Sequence, residues 1–343
     1  MLPMPHKQQI RTQQKSNCSC CNSTGTYLYQ GLQDRLFGAL GTWSLKRCDN
    51  KQCELLWLDP APISEDLPIA YQNYYTHGKN RLIKKSIYSR LAAGYRAFQH
   101  SYRVAQTSSI QRGLGCALAF FNFFKESMDY PFVYFKQLPK GRLLELGVGS
   151  GDTLKLFSNW GWQVEGLDFD PEAVKHAVSQ GLKVYQGDVF SQNYANNSYD
   201  AIFSSHVLEH VPDPKALMKE SLRILKSGGI FVAVTPNASS KLHRFFKSNW
   251  RGLEPPRHLN IFTSGALLLA AKNAGLKKIT IISSNCSAVH IFYASLQLTH
   301  CDGSKIKNFS LIKWRAYLAG WYLDLMHRFS PLSGEELVAI AYK

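Results

Sequence analysis

From residue 139 onward, short apolar runs and amphipathic stretches alternate at a regular spacing. Runs at 142–147, 163–168, 182–186, 200–205 and 229–235 are too short for helices and rich in branched residues, so they read as strands. The stretches between them have helical periodicity, and one opens at Pro171. Such alternation calls for a parallel sheet covered by helices on both faces. After Pro236-Asn237 the pattern loosens, until a helix at 264–274 stops at Gly275 and leads into a strand at 278–283. An aromatic helical stretch follows at 306–329, carrying Trp314, Tyr317, Trp321 and Tyr322, and a last strand at 336–342. Earlier in the chain, Ile83, Ile87, Leu91, Tyr95 and Phe98 recur at helical spacing.

The first of these strands ends in the chain's most informative stretch, Gly141-Arg-Leu-Leu-Glu-Leu-Gly-Val-Gly-Ser-Gly151. Strand, glycine turn and helix make the ligand-binding corner of an open α/β sheet, where a Cβ would block the approach of a ligand. A dinucleotide site offers this corner to a pyrophosphate. Here Glu145 and Asp152 flank Gly147, Gly149 and Gly151, and two carboxylates suit a ligand bearing an ammonium and a sulfonium. S-adenosylmethionine fits that description. Asp168 ends the second strand, where an acid can accept both hydroxyls of a ribose. Gly187-Asp188 follows the third strand, placed to accept from an adenine amino group.

These motifs, with Tyr199-Asp200-Ala-Ile-Phe203 and Leu225-Lys-Ser-Gly-Gly229, make the stretch from Gly141 to about Ile282 resemble the class I S-adenosylmethionine-dependent methyltransferases. The resemblance implies a Rossmann-like seven-stranded sheet with an antiparallel last strand. It assigns the cofactor to Glu145, Gly147, Gly149, Gly151, Asp168, Asp188 and Ser204. The alternative is a sheet of the same type with no such cofactor.

Upstream, Cys18 and Cys21 form one pair and Cys48 and Cys53 another, with a gap long enough for a hairpin between them. Two thiolate pairs on opposed turns can surround a structural Zn²⁺. Cys20 competes with Cys21 for the first pair; Cys21 is preferred because Cys18-Ser-Cys-Cys21-Asn-Ser resembles a Cys-x-x-Cys-Gly-Ser knuckle. Reduced free cysteines or disulfides are the alternatives. The following Leu55-Leu-Trp-Leu-Asp-Pro60 and Tyr71-Gln-Asn-Tyr-Tyr75 extend a resemblance to bacterial methyltransferases of glycan and secondary metabolism. The boundaries expected are a disordered tail at 1–17, a zinc-knuckle module at 18–78, a helical cap at 79–138 and the methyltransferase domain at 139–343, with a helical insertion at 303–330.

The chain has 343 residues and a formal net charge of +16. No acid occurs between Asp66 and Glu126 or between Glu254 and Asp302, while Lys and Arg recur in both. Basic surfaces suit nucleic acid, anionic lipid or phosphorylated substrates, and charge alone does not choose. The segment 80–135, with Lys84, Lys85, Arg90, Arg96 and Arg103, reads as a helical cap with solvated charges, or else as a basic, aromatic surface lying on a membrane. No charge-free run of transmembrane length or secretory stretch appears, so a cytoplasmic protein, at most peripheral at the inner membrane face, is expected.

Two stretches fall beyond the carboxyl ends of the strands, where an acceptor binds. In Ser204-Ser-His206-Val-Leu-Glu209-His210, the three underlying side chains His206, Glu209 and His210 share a face if the turn is helical. The segment resembles that of the ubiquinone-pathway O-methyltransferases, whose Glu…Glu-His set can hold a divalent cation; here His206 replaces the first Glu. His206 or His210 is expected at the acceptor, and a cation near Glu209 and His210 is a further expectation. The other reading has Glu209 and His210 only fixing the loop. In Trp250-Arg251-Gly-Leu-Glu-Pro-Pro256-Arg257-His258-Leu-Asn260, paired prolines stiffen the backbone, so His258 could act as a base and Arg257 could bind a phosphate or carboxylate. Asn237 and Trp250 complete the expected substrate contacts; the alternative is a stapled loop that orders the cover.

The reading favoured is an O-methyltransferase of a sugar, glycolipid or polyprenyl-linked hydroxyl, with a small-molecule or lipid-linked glycan acceptor as partner. A sugar C-methyltransferase and an RNA base methyltransferase are alternatives, and nucleic acid is the less favoured partner. A non-catalytic module is a third class, against which the intact acid and glycine set argues.

Overall fold

The computed structural model describes residues 9–72, 87–102, 107–299 and 309–343, with backbone alone at 122–123 and 309–314. Tyr74, Tyr75, Ile83, Lys84, Lys85 and Arg103 lie outside the described residues, as does the side chain of Trp314.

The central apolar runs become strands because they bury both faces. In β6 (Arg142–Leu146) the last four side chains are all buried, including Glu145. It lies at the centre of a sheet with β7 (Gln163–Asp168), β8 (Val184–Gln186), β9 (Tyr199–Ser205), β10 (Leu225–Pro236), β12 (Lys277–Ser284) and β13 (Glu336–Tyr342). The order is β12-β13-β10-β9-β6-β7-β8. β6 to β10 run parallel, and β13 is antiparallel to both β10 and β12. This is the seven-stranded sheet expected from the sequence.

Helices α4 (Asp152–Asn159), α5 (Pro171–Ser179), α6 (Pro214–Ile224) and α8 (Ser264–Asn273) cover the sheet. The start at Pro171 was legible; Asp170 caps α5 ahead of it, and Asp213 caps α6 ahead of Pro214, each carboxylate satisfying free backbone N–H groups. Phe157 and Phe203 pack on one face, and Phe231, Leu144 and Leu267 on the other. Each fully buried aromatic or leucine of this kind contributes about 2–3 kcal/mol.

The N-terminal segment forms a smaller antiparallel sheet from β2 (Gly25–Leu32), β3 (Trp43–Cys48) and β4 (Leu56–Leu58), and β1 (Thr12–Gln13) pairs with β5 (Ala61–Pro62). This sheet is finished by a strand from far along the chain. β11 (Asn260–Ile261) pairs with β4, setting Asn260 opposite Trp57 and Ile261 opposite Leu56. α7 (Lys241–Phe246) and a turn-rich stretch lead up to it.

The segment 79–138 holds α1 (Ile87–Gln99), α2 (Ser109–Leu118) and α3 (Asn122–Asp129). α9 (Ala288–Thr299) and α10 (Phe309–Phe329) form the late helical insertion. α10 packs on both α9 and α3, so the two helical segments meet beside the sheet.

Candidate active site

The glycine corner is built as its sequence requires. Gly147, Gly149 and Gly151 take φ of 72°, 54° and 81°, the left-handed region that side chains resist. A Cβ on Gly147 would come within 2.4 Å of Val207 Cγ2, whereas one on Gly149 would meet open space. Asp168 reaches across from β7, and its Oδ2 accepts the Gly149 N–H at 2.8 Å while Oδ1 accepts the Asp170 N–H at 2.9 Å. That tie fixes the turn against the second strand.

Glu145 is buried, and its Oε2 has no hydrogen-bond partner among the described residues. Burial, followed by the charges of Asp168 and Asp152, pushes its carboxyl well above the ordinary range. Burial likewise raises Asp168. Ser204 Oγ, at the tip of β9, is also buried without a partner. Orphaned buried acceptors are costly. Here they surround an open glycine turn, which is what residues awaiting a cationic, hydrogen-bonding ligand look like. Asp152 and Asp188 are exposed, and Asp188 Oδ1 accepts the Phe190 and Ser191 N–H groups at 3.0 and 2.8 Å. The residues present fit S-adenosylmethionine.

The three expected histidines converge on one carboxylate, Glu209. His206 Nδ1 lies 3.2 Å from Glu209 Oε1, and its Nε2 lies 3.1 Å from Glu336 Oε1. Thr235 donates to Glu209 Oε2 at 3.0 Å. One Glu209 oxygen and one nitrogen each from His210 and His258 lie within 4.8 Å of one another. The two imidazoles meet edge to face, with centroids 4.7 Å apart. Burial works against the Glu209 charge, but the hydrogen bond from His206 and the neighbouring histidines outweigh it and hold the carboxyl down at about 2.

The histidines differ in what they can do. His206 has a left-handed backbone, φ 55°, and a side chain 43% exposed just beyond the carboxyl end of β9. Burial opposes its charge, yet the hydrogen bonds to Glu209 and Glu336 raise it to about 10. It keeps its proton at neutral pH, so of the three it is least able to accept one. Burial lowers His258 to about 4. Its Nδ1–H donates to the Gly252 carbonyl at 2.7 Å, which leaves a lone pair at Nε2. His210 Nδ1 lies 2.9 Å from the Tyr71 hydroxyl and 3.1 Å from the Arg257 carbonyl oxygen.

Residues 126–281 match the family model described as "Methyltransferase domain". That stretch is a methyltransferase domain. The chain is 36% identical over 107 residues to the ubiquinone biosynthesis O-methyltransferase of Xanthomonas oryzae pv. oryzae, a match covering 29% of this chain and 45% of that protein. It is 27% identical over 144 residues to an uncharacterized protein of Methanocaldococcus jannaschii, covering 42% and 68%. It thus spans less than half of the ubiquinone enzyme's length. Among solved structures it is similar to a SAM-dependent methyltransferase from Archaeoglobus fulgidus, with 17% identity, a TM-score of 0.43, and coverage of 73% of this chain and 99% of that one.

Around this methyltransferase domain, several residues expected at the substrate serve the interior instead. Arg257 is fully buried; its Nη1 donates to Asp34 Oδ2 at 2.8 Å and to the Ala70 carbonyl at 2.9 Å, and its Nε donates to Glu254 Oε1 at 2.9 Å. It staples the loop to the N-terminal module rather than facing an acceptor. Trp250 is buried, donates to Glu335 Oε2 at 3.2 Å and stacks on His243. Asn237 is buried and donates to the carbonyls of Leu332 and Gly334 at 3.0 and 2.7 Å. Buried polar groups need partners, and each of these three finds them within the protein.

Tyr71 is a residue whose role the sequence left unassigned. Beyond His210 it meets Phe169 edge-on at 4.9 Å, directly after Asp168. It therefore joins the module, the ribose-side strand and the histidine cluster. Its Tyr-rich stretch carries a resemblance but no role, because the partners of Tyr71 lie far along the chain.

The cysteine cluster is drawn together as its spacing predicts. Sulfurs of Cys18, Cys21, Cys48 and Cys53 lie within 4.8 Å of one another, with Cys18–Cys53 at 3.6 Å and Cys21–Cys48 at 3.3 Å. These separations are longer than an S–S bond of about 2.05 Å and approach the edge of about 3.8 Å for a tetrahedron with Zn–S bonds of about 2.3 Å. Cys20 is buried beside them, outside the group of four. The cluster is bolted to the methyltransferase domain: Ser19 donates to Asn260 Oδ1 at 2.8 Å, Asn273 donates to the Cys20 carbonyl at 3.0 Å, and Thr263 donates to the Cys53 carbonyl.

Proposed function

We propose that this protein transfers the methyl group of S-adenosylmethionine to a hydroxyl of a sugar, glycolipid or polyprenyl-linked acceptor. The observation that carries the cofactor half of this reading is buried Glu145, whose Oε2 has no partner among the described residues, beside Asp168 at an open glycine turn. When bound, the sulfonium supplies an electrophilic methyl carbon. Glu145 and Asp168 give the cation its counter-charge, and the glycines leave room for its approach.

On the acceptor side, His258 is the group suited to take a hydroxyl proton, since it is neutral at physiological pH and its tautomer is fixed by Gly252. His210 lies against it, and Glu209 stabilises positive charge that develops on either ring. His206, already protonated, orients Glu209 and Glu336. The likeness to an enzyme named as an O-methyltransferase supports a hydroxyl acceptor. Glu209, His210 and His258 also make a donor set able to hold a divalent cation, and Cys18, Cys21, Cys48 and Cys53 one able to hold a structural Zn²⁺.

The test is transfer of labelled methyl from S-adenosylmethionine to a panel of nucleotide sugars, polyprenyl-phosphate sugars and glycolipids. Label is expected in a hydroxyl-derived ether. His258→Ala should cut turnover by about 10²–10⁴ while leaving S-adenosylhomocysteine affinity nearly unchanged. Equal loss of turnover and affinity would sink the base assignment, and label found only in RNA would overturn the acceptor class.

A further inference from the structure

α10 has apolar residues on two sides. One side is buried in the fold through Ala316 and Leu323. The other exposes Tyr317, Leu318, Trp321, Tyr322, Leu325 and Phe329, from 43% to 78% accessible. Positions 318, 321, 322, 325 and 329 follow the three- and four-residue steps of one helical face. Scattered exposed leucines need no explanation, but a contiguous stripe of this kind marks a surface that something covers.

The charges around it say what that is. α1, α2 and α9 contain no acidic residue, and the single acid of α10, Asp324, is buried. On α3, Asp129 is buried against His100, Tyr95 and Lys125, and Glu126 is turned inward to accept from Ser284 and the Asn285 N–H. Arg90, Arg112, Arg315 and Arg328 are exposed. The same helical layer also exposes Ile110, Leu114 and Phe120. Among the described residues, the exposed charge of these five helices is wholly positive. A partner must therefore be apolar in depth and anionic at its surface.

We propose that α10 lies in the interface of an anionic lipid bilayer, with Trp321, Leu325 and Phe329 buried among the acyl chains and Arg315 and Arg328 at the headgroups. No described helix is long and apolar enough to cross a membrane, so the helix lies along the surface. Trp and Tyr favour that depth, and an Arg near an anionic surface strengthens binding about fivefold. The location follows from the helix alone, whatever the acceptor proves to be. It also places the membrane next to the site: α3, on which α10 packs, ends at Tyr130, whose hydroxyl is 2.7 Å from Ser205 at the tip of β9.

The test is flotation of the full chain with vesicles of phosphatidylcholine alone and of phosphatidylcholine mixed with phosphatidylglycerol. Binding is expected to the mixed vesicles, weakened by salt. The Trp321→Glu/Leu325→Glu double variant should reduce it by about tenfold or more, with thermal midpoint and S-adenosylhomocysteine affinity unchanged. Should that variant fail to fold, Trp321→Phe serves instead: quenching of the wild-type tryptophan fluorescence by brominated lipid should drop in it. Absence of vesicle binding overturns the proposal. So does binding that neither substitution changes, a dimer in light scattering that the double variant dissolves, or a preference for single-stranded RNA that phosphatidylglycerol does not compete.

Discussion

If Arg257 is a staple and not a substrate anchor, replacing it should cost stability before it costs anything else. The guanidinium is fully buried between Asp34 and Glu254, hydrogen-bonds the Ala70 carbonyl and lies over the Phe37 ring at 4.5 Å. Arg257→Met keeps much of the packing volume but strands Asp34, which retains its backbone donors at Leu36, Phe37 and Ala39. Breaking one side of a buried pair costs about 3–5 kcal/mol, because the remaining charge is left without compensation. At roughly 2–4 °C per kcal/mol, the thermal midpoint should fall by about 10 °C. Asp34→Asn should cost less, since Glu254 still pairs with Arg257. The Asp34→Asn/Arg257→Met double variant should recover part of the Arg257→Met loss, as no charge is then stranded at Asp34. The assays are calorimetry for the midpoint and titration for S-adenosylhomocysteine affinity, which should hold at temperatures where the variant stays folded. A variant with an unchanged midpoint and a raised KM for the acceptor alone would refute the reasoning and return Arg257 to the substrate.

Two other outcomes follow from the same geometry. With Zn²⁺ on the four cysteines as proposed, stripping it with a chelator, or Cys48→Ser, should destabilise by roughly 3 kcal/mol or more and open the 248–262 stretch to protease, because β11 completes the cysteine module's sheet; full resistance in metal-free protein would contradict this. His206 gains its proton on folding, so its contribution to stability is present below its ordinary value of 6.5 and is lost as pH rises toward about 10. The exposed side chain limits this to about 1 kcal/mol, and Glu336→Gln should flatten the fall in urea midpoint between neutral and alkaline pH; parallel profiles for wild type and variant would rule the linkage out.

The parts of this molecule legible in sequence are those whose constraint is local. The glycine corner needs three left-handed residues and a flanking acid within one turn, and the strands β6 to β10 announce themselves as short apolar runs. The two cysteine pairs are similar, since each pair occupies one turn. The buried pairing of Arg257 was not legible, because its carboxylate partner Asp34 lies 223 positions away and no spacing rule reaches that far. The same holds for β11 and β4, and for Tyr71 and His210. His206, His210 and His258 were picked out by residue type and by resemblance, but their division of labour depends on the tautomers and charges that Glu209, Glu336 and Gly252 impose.

The claim on which the rest depends is that buried Glu145 awaits a cation. Its raised carboxyl binds a proton in the free protein more readily than in the unfolded chain, so this group's effect on stability turns unfavourable as pH rises above the ordinary carboxylate range. An incoming ammonium should reverse this by displacing the proton. Calorimetric titration of S-adenosylhomocysteine into wild type and Glu145→Gln, in buffers of differing ionisation enthalpy, measures both quantities. The account predicts proton release by the wild type, none by the variant, and an affinity lower by about 10- to 100-fold in the variant, the loss of one charge-assisted hydrogen bond. Equal affinities, or no binding by the wild type, would contradict it.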